Sequence, residues 1–81
     1  LSTGEDEAIP GSVATRLLSG DEHPLKIWRE YRGFTQESLG NEAGIGKSYV
    51  SQIEAGAKMG STQVLGALAK ALKVDIDDLL Q

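Results

Sequence analysis

Gly44-Ile45-Gly46 constrains this chain more than any other stretch. The segments on either side carry apolar residues at helical spacing: Leu39 and Ala43 at i, i+4 before it, Val50 and Ile53 at i, i+3 after it. Gly44 adopts a positive φ at no steric cost and so ends the first helix. Gly46 is an acceptable N-cap for the second, which the pattern runs from Lys47 to about Ala55, with Gly56 behind it. The same letters raise another possibility, because Gly46-Lys47-Ser48 ends like the phosphate-binding loop G-x-x-x-x-G-K-[ST]. The spacing argues against it. That motif needs a glycine at the position of Asn41, and Gly40 stands one residue too early. The loop also follows a buried strand, whereas the residues upstream, FTQESLGNEAG, are polar and carry no strand pattern.

Helical periodicity accounts for the rest of the chain, with no alternating strand pattern and no internal repeat. Ile9, Val13 and Leu17 recur at i, i+4, i+8, with Leu18 beside them, around a Pro10 suited to a helix start. SGDEHP, residues 19–24, ends that helix. A second is expected from about Pro24 to Arg32, with Leu25 and Trp28 on one face, Ile27 paired with Tyr31, and Gly33 as its C′ residue. Thr35 caps a third, with Glu37 in the first turn, where the helix dipole favours acid. Gly60 or Ser61 starts a longer helix, in which Val64, Leu65, Leu68, Ala69 and Leu72 make a broad apolar stripe. Asp75, with Asp78 three residues on, is a weak capping box for a last turn, from which Ile76, Leu79 and Leu80 point back to the core. Residues 1–8, LSTGEDEA, are acidic and aperiodic and are expected to be disordered.

At 81 residues the chain is one small domain, at the low end for a self-sufficient core. Without cysteine there is no disulfide and no thiolate metal site. The single histidine, His23, supports neither a metal site nor a Ser-His pair, and in a polar turn beside Pro24 it is expected to face water. Glu30, Glu37, Glu42 and Glu54 fall on different helix faces and make no acid–base pair. Enzymatic chemistry, a metal and a cofactor are therefore not expected. No apolar run approaches the roughly 20 residues of a membrane span, and no signal peptide is visible, which points to the cytoplasm. The net charge of −4 argues at first against nucleic acid. The charge is uneven, however: residues 1–23 hold five acids and one base, residues 24–81 seven of each. The acidity is an N-terminal property, and the remainder is free to present a local basic face.

Two short helices joined by a three-residue glycine turn make a helix-turn-helix. In that motif the first helix braces, and the second can lie in a DNA major groove with its N-terminal residues at the base edges. With Val50 and Ile53 buried, the outward face of the second helix is Lys47, Ser48, Ser51 and Gln52, with Tyr49 at its edge. Lysine reads guanine, glutamine reads adenine, and serine pairs with several bases. Lys47 in the first turn opposes the helix dipole by roughly a few tenths of a kcal/mol, which a guanine or a phosphate outside the helix would offset. Spacing alone leaves the other reading open, a tolerated surface lysine on an ordinary solvated helix face.

TQESLGNEAGIGKSYVSQIEAG, Thr35 to Gly56, resembles the helix-turn-helix of phage Cro and repressor proteins and of the Xre/Cro/C1-type regulators of bacteria. The shared features are Thr35-Gln36, Leu39 followed by a small residue, Ala43-Gly44-Ile45, Ser48, Val50-Ser51, Gln52-Ile53-Glu54 and Gly56. The likeness continues through LGALAKALKVDIDDLL and covers about residues 24–81. It implies an all-α, lambda-repressor-like domain of five to six helices, with an acidic segment at 1–8, an N-terminal helix and linker at 9–23 and the helix-turn-helix domain at 24–81. It also implies a sequence-specific transcriptional repressor that binds double-stranded operator DNA as a homodimer, reading the major groove with the helix 47–55. Carried over by position, Lys47, Ser48 and Gln52 face bases with Ser51 as a helper, Gln36 touches phosphate, and Tyr49 and Lys58 fall where backbone contacts are common. Two residues depart from the pattern. Gly40 stands where alanine is usual and is expected to cost the helix about 1 kcal/mol, and Gly46 stands where a serine or threonine cap is usual. Residues 9–33 resemble the lead-in of antitoxin-like members of the HigA kind, which repress their own operon and neutralise a toxin. A protein-interaction module or antitoxin is therefore the rival reading. Overall acidity favours it, while Gln36, Lys47, Gln52 and Lys58 favour DNA. The exposed side of residues 65–80 is the expected dimer interface, with the helix at 10–19 as second choice.

Overall fold

The computed structural model describes residues 9–80, so the disorder expected of segment 1–8 concerns a part of the chain outside the described residues. The described residues are all-α. Helices α1 (Gly11–Ser19), α2 (Pro24–Tyr31), α3 (Gln36–Ala43), α4 (Lys47–Glu54) and α5 (Thr62–Leu72) precede a closing 3₁₀ turn, Ile76–Leu79. None of the helices is long and apolar enough to cross a membrane.

Every element contributes to one core. Val13 of α1, Leu25, Ile27 and Trp28 of α2, and Leu39 of α3 are buried. So are Val50 and Ile53 of α4, Leu65, Leu68 and Leu72 of α5, and Leu79 of the last turn. The i, i+3, i+4 spacing of these residues is what lets short helices close around a common centre. Helix α3 packs on both α4 and α5, while α2 lies between α1 and α4. Local chemistry sets the helix boundaries. Thr35 Oγ1 accepts the Ser38 N–H and Ser38 Oγ accepts the Thr35 N–H, both at 2.9 Å, which makes a capping box. Ser61 accepts from the Val64 N–H, and Asp78 accepts from the Asp75 N–H, as the spacing predicts. Helix α5 ends on Lys73 at φ 61°, in the left-handed region without the help of glycine. There the Arg32 guanidinium donates to the carbonyls of Leu72 and Lys73, satisfying groups that a helix end leaves open.

Helix α1 is held by charge as well as by Val13. Arg16 donates to both oxygens of Glu22 at 2.8 Å and to Glu30 at 2.7 Å, and Lys26 adds a 3.3 Å pair to Glu22. The Arg16 guanidinium holds the Glu22 carboxyl down to about 2. Only part of the predicted stripe is covered, since Ile9 is 46% exposed and Leu18 is 87% exposed.

Three expectations are corrected. Leu80 does not point into the core but lies half in solvent, because the final turn is 3₁₀ and buries Leu79 alone at its end. His23 does not simply face water. It is the N-cap of α2, half-buried, with Nδ1 accepting the Leu25 N–H at 3.0 Å. Pro24 at the first helical position has no N–H, so Leu25 carries the first open donor, and an imidazole just before the proline reaches it. Gly40 is not merely a weaker alanine. A Cβ there would lie 2.7 Å from the Ile45 carbonyl oxygen and 3.3 Å from the Gly46 carbonyl carbon. The Ile45 N–H donates to the Gly40 carbonyl at 2.8 Å, so the turn folds directly over this position.

Two measurements follow. Alanine at position 40 gains about 1 kcal/mol of helix propensity but must push turn backbone outward. Gly40→Ala is expected not to raise Tm, and Gly40→Val to lower it clearly. A rise of several degrees with alanine would mean the turn yields freely. Burial pushes the His23 imidazole down from its ordinary 6.5, against a smaller opposing pull from Glu54. A folded-state value below the unfolded one means the stability held by neutral His23 is complete above 6.5 and is lost as pH falls through the folded value. The urea midpoint should therefore drop more between about pH 7.5 and 5 in the wild type than in His23→Asn, whose cap does not titrate. Equal drops would exclude the imidazole as the cause.

Candidate nucleic-acid interface

Helix α4 starts from Gly46, which is extended and offers no side-chain cap, and no acid stands in its first turn. Its open N–H groups and the positive end of its dipole are therefore uncompensated from within, with the Lys47 cation beside them. Val50 and Ile53 are fully buried, so the opposite face of the helix is turned outward. Lys47, Ser48 and Gln52 are left exposed, while Ser51 and Tyr49 are half-buried. Lys47 with Ser51, and Ser48 with Gln52, are i, i+4 neighbours, so the four expected base-side residues form one continuous patch.

Gln36 opens α3, and Lys47 opens α4. Both line one shallow cleft with Arg29, Phe34, Thr35 and Glu37. The N-terminal ends of two helices thus flank the same depression, an arrangement that favours an anion. Glu37 is the single carboxylate on its wall. On the other side of α4, Lys58 and Tyr49 come together, with the ammonium 5.5 Å from the ring centroid. All seven expected site residues therefore lie on α4, at the start of α3, or in the loop that follows α4.

A buried ion pair stands behind this surface, and the sequence reading missed it. Arg29 Nε donates to Glu54 Oε2 at 2.6 Å and Nη2 to Oε1 at 3.2 Å, while Nη1 donates to the Phe34 carbonyl at 2.9 Å. Gln36 Nε2 donates to the same Glu54 Oε1 at 3.1 Å. The side chains of Arg29 and Glu54 are only 10% and 5% exposed. A signal was present: Arg29 sits at i+4 from Leu25, and Glu54 at i+4 from Val50, so each charge falls on a buried stripe. Opposite charges on buried faces of different helices call for pairing.

Among the described residues the cations divide into two sets. Arg16, Lys26 and Arg29 are in ion pairs, and Arg32 is spent on the end of α5 and on the Trp28 and Tyr31 rings. Lys47, Lys58, Lys70 and Lys73 have no carboxylate partner, and the first two of these are the ones near α4. Lys47 opens α4, and Lys58 lies in the loop that follows it. No group of three His, Cys, Asp or Glu among the described residues could hold a metal. Removing one member of the buried pair leaves the other charged and unpartnered, so Glu54→Ala is expected to cost about 3–5 kcal/mol of stability. Lys58→Ala, on an exposed side chain, should stay within about 0.5 kcal/mol. Denaturant unfolding checks both, and a near-neutral Glu54→Ala would remove the pair from its structural role.

Residues 23–81 match the family model described as a helix-turn-helix domain. Among solved structures, the chain is similar to one described as the "master regulator for biofilm formation SinR in complex with DNA". The two share 32% identity and a TM-score of 0.67, over 72% of this chain and 97% of that one. No curated protein matches. Helix α1 lies ahead of the family match. The turn at 44–46, the box that starts α3 and the burial of Val50 and Ile53 agree with this result, and the chain belongs to the helix-turn-helix family of Xre/Cro/C1-type regulators, with their lambda-repressor-like fold.

Proposed function

We propose that this chain is a sequence-specific transcriptional repressor that binds double-stranded operator DNA as a homodimer and reads the major groove with α4. The observation that carries the reading is the selective pairing of charge. Carboxylates of the chain take up Arg16, Lys26 and Arg29, while Lys47 and Lys58, the unpaired lysines near α4, flank a patch of exposed Ser48 and Gln52 and half-buried Ser51; the other unpaired lysines, Lys70 and Lys73, lie at the end of α5. That layout suits a helix whose centre meets base edges and whose flanks meet phosphates. Lys47, Ser48 and Gln52 face the bases with Ser51 as helper, and Gln36, Tyr49 and Lys58 face the backbone. The likeness to a regulator solved in complex with DNA supports DNA as the partner. The role is non-enzymatic and needs no cofactor. A dimer supplies two half-sites about one helical turn, roughly 34 Å, apart.

One observation favours the rival, a protein-interaction module or antitoxin that holds a toxin. Helix α1 stands ahead of the family match and leaves Leu18 87% exposed, beside a half-exposed Ile9. A partner could cover those residues without touching α4.

Titration of operator and scrambled duplexes at several salt concentrations separates the roles. Lys58→Ala should weaken binding to all sequences and lower the salt slope by about one. Gln52→Ala should cost roughly 1–3 kcal/mol on the preferred site alone. Equal losses on both duplexes for Gln52→Ala would mean that α4 does not read bases. Absence of salt-dependent binding by the unmutated chain to any duplex would favour the rival.

A further inference from the structure

Tyr49 and Lys58 are nine positions apart, yet the fold fixes them together at two points. The first is the backbone. The Gln52 carbonyl accepts from the N–H of Ala57 at 2.9 Å and of Lys58 at 3.2 Å. The loop after α4 is thereby folded back onto the last turn of that helix, helped by Gly56 at φ 79°. The second is the side chain, whose ammonium rests 5.5 Å from the centroid of the Tyr49 ring. Tyr49 lies three residues before Gln52, one turn nearer the start of α4, and is packed against the core, so the platform under the lysine is rigid. Lysine is a flexible chain with large rotamer entropy, and ordering it on binding is costly. Here its base and its tip are both placed before any ligand arrives.

We infer that Tyr49 is a positioning residue that acts through Lys58: its ring, not its hydroxyl, holds the ammonium ready for a DNA phosphate at the flank of α4. This rests on the DNA-binding reading and refines the part that Tyr49 plays in it. The lysine remains the group that meets the phosphate, so the ring sets affinity for every sequence without setting sequence choice.

The test is a double-mutant cycle on the full chain, with operator and scrambled duplex. Tyr49→Leu should weaken binding to both duplexes by about 2- to 5-fold, the size of an exposed cation–π contact. Tyr49→Phe should bind like the wild type. In a Lys58→Ala background, Tyr49→Leu should cost nothing further. A loss with Tyr49→Phe that persists without Lys58 would show a direct hydroxyl contact and overturn the inference. A loss with Tyr49→Leu that is the same in both backgrounds would show a merely structural ring and also overturn it. A second readout needs no DNA. In the free protein the Lys58 ε-methylene protons should be shifted upfield by the ring current, and Tyr49→Leu should remove that shift. Unshifted protons in the wild type would refute the positioning whatever the chain binds. Shifted protons without DNA binding would instead remove only the reading on which the inference rests.

Discussion

The pairing of Arg29 with Glu54 is the interaction on which the candidate interface depends. It joins α2 to α4, and through the Phe34 carbonyl and Gln36 it also fixes the start of α3. Three elements that meet the candidate interface are thus referred to one buried carboxylate. Such a pair is seldom a large net gain in stability, because both charges lose water. Its value here is angular. Apolar contacts among Leu25, Leu39, Val50 and Ile53 tolerate small rotations, whereas a two-point guanidinium–carboxylate contact does not. Once Glu54 is fixed, the rotation of α4 is fixed, and with it which residues face out.

Charge elsewhere in the molecule follows the same division. The chain carries a net charge of −4, which by itself says little about an anionic ligand. What matters is where cations remain unpaired. Arg16 pairs at the surface with Glu22 and Glu30, tying α1 to α2 and the turn before it, and Arg32 closes α5 while lying over Trp28 and Tyr31. Those contacts strengthen the fold on the sides that carry α1 and the end of α5. They leave Lys47 and Lys58 as the free cations around α4.

Glycine is used in two different ways. Gly44 and Gly56 sit at positive φ and end helices, a role readable from their positions in the sequence. Gly40 lies inside α3 and looked like a weak point. Its reason is spatial, because the turn that follows passes within 2.7 Å of where a side chain would begin. His23 shows the converse. Beside Pro24 it looked like an ordinary loop residue, yet that proline removes one donor and leaves the imidazole to satisfy the next.

The fold class, five helices and their limits, and the outward face from Lys47 to Gln52 were legible in the sequence. Each rests on local rules: apolar spacing, glycine after a helix, and hydroxyl or carboxylate caps. Leu80 was misjudged because one residue of register separates core from solvent at a short 3₁₀ end. The Arg29–Glu54–Gln36 cluster, the Arg16 network and the resting of Lys58 on Tyr49 were decided only in three dimensions. They join residues 25, 18, 6, 14 and 9 positions apart, and no periodicity within one helix reports on a partner in another. Local spacing determined which side of each helix is apolar; only the packed helices decided which charges are paired within the fold and which stay unpaired at the surface.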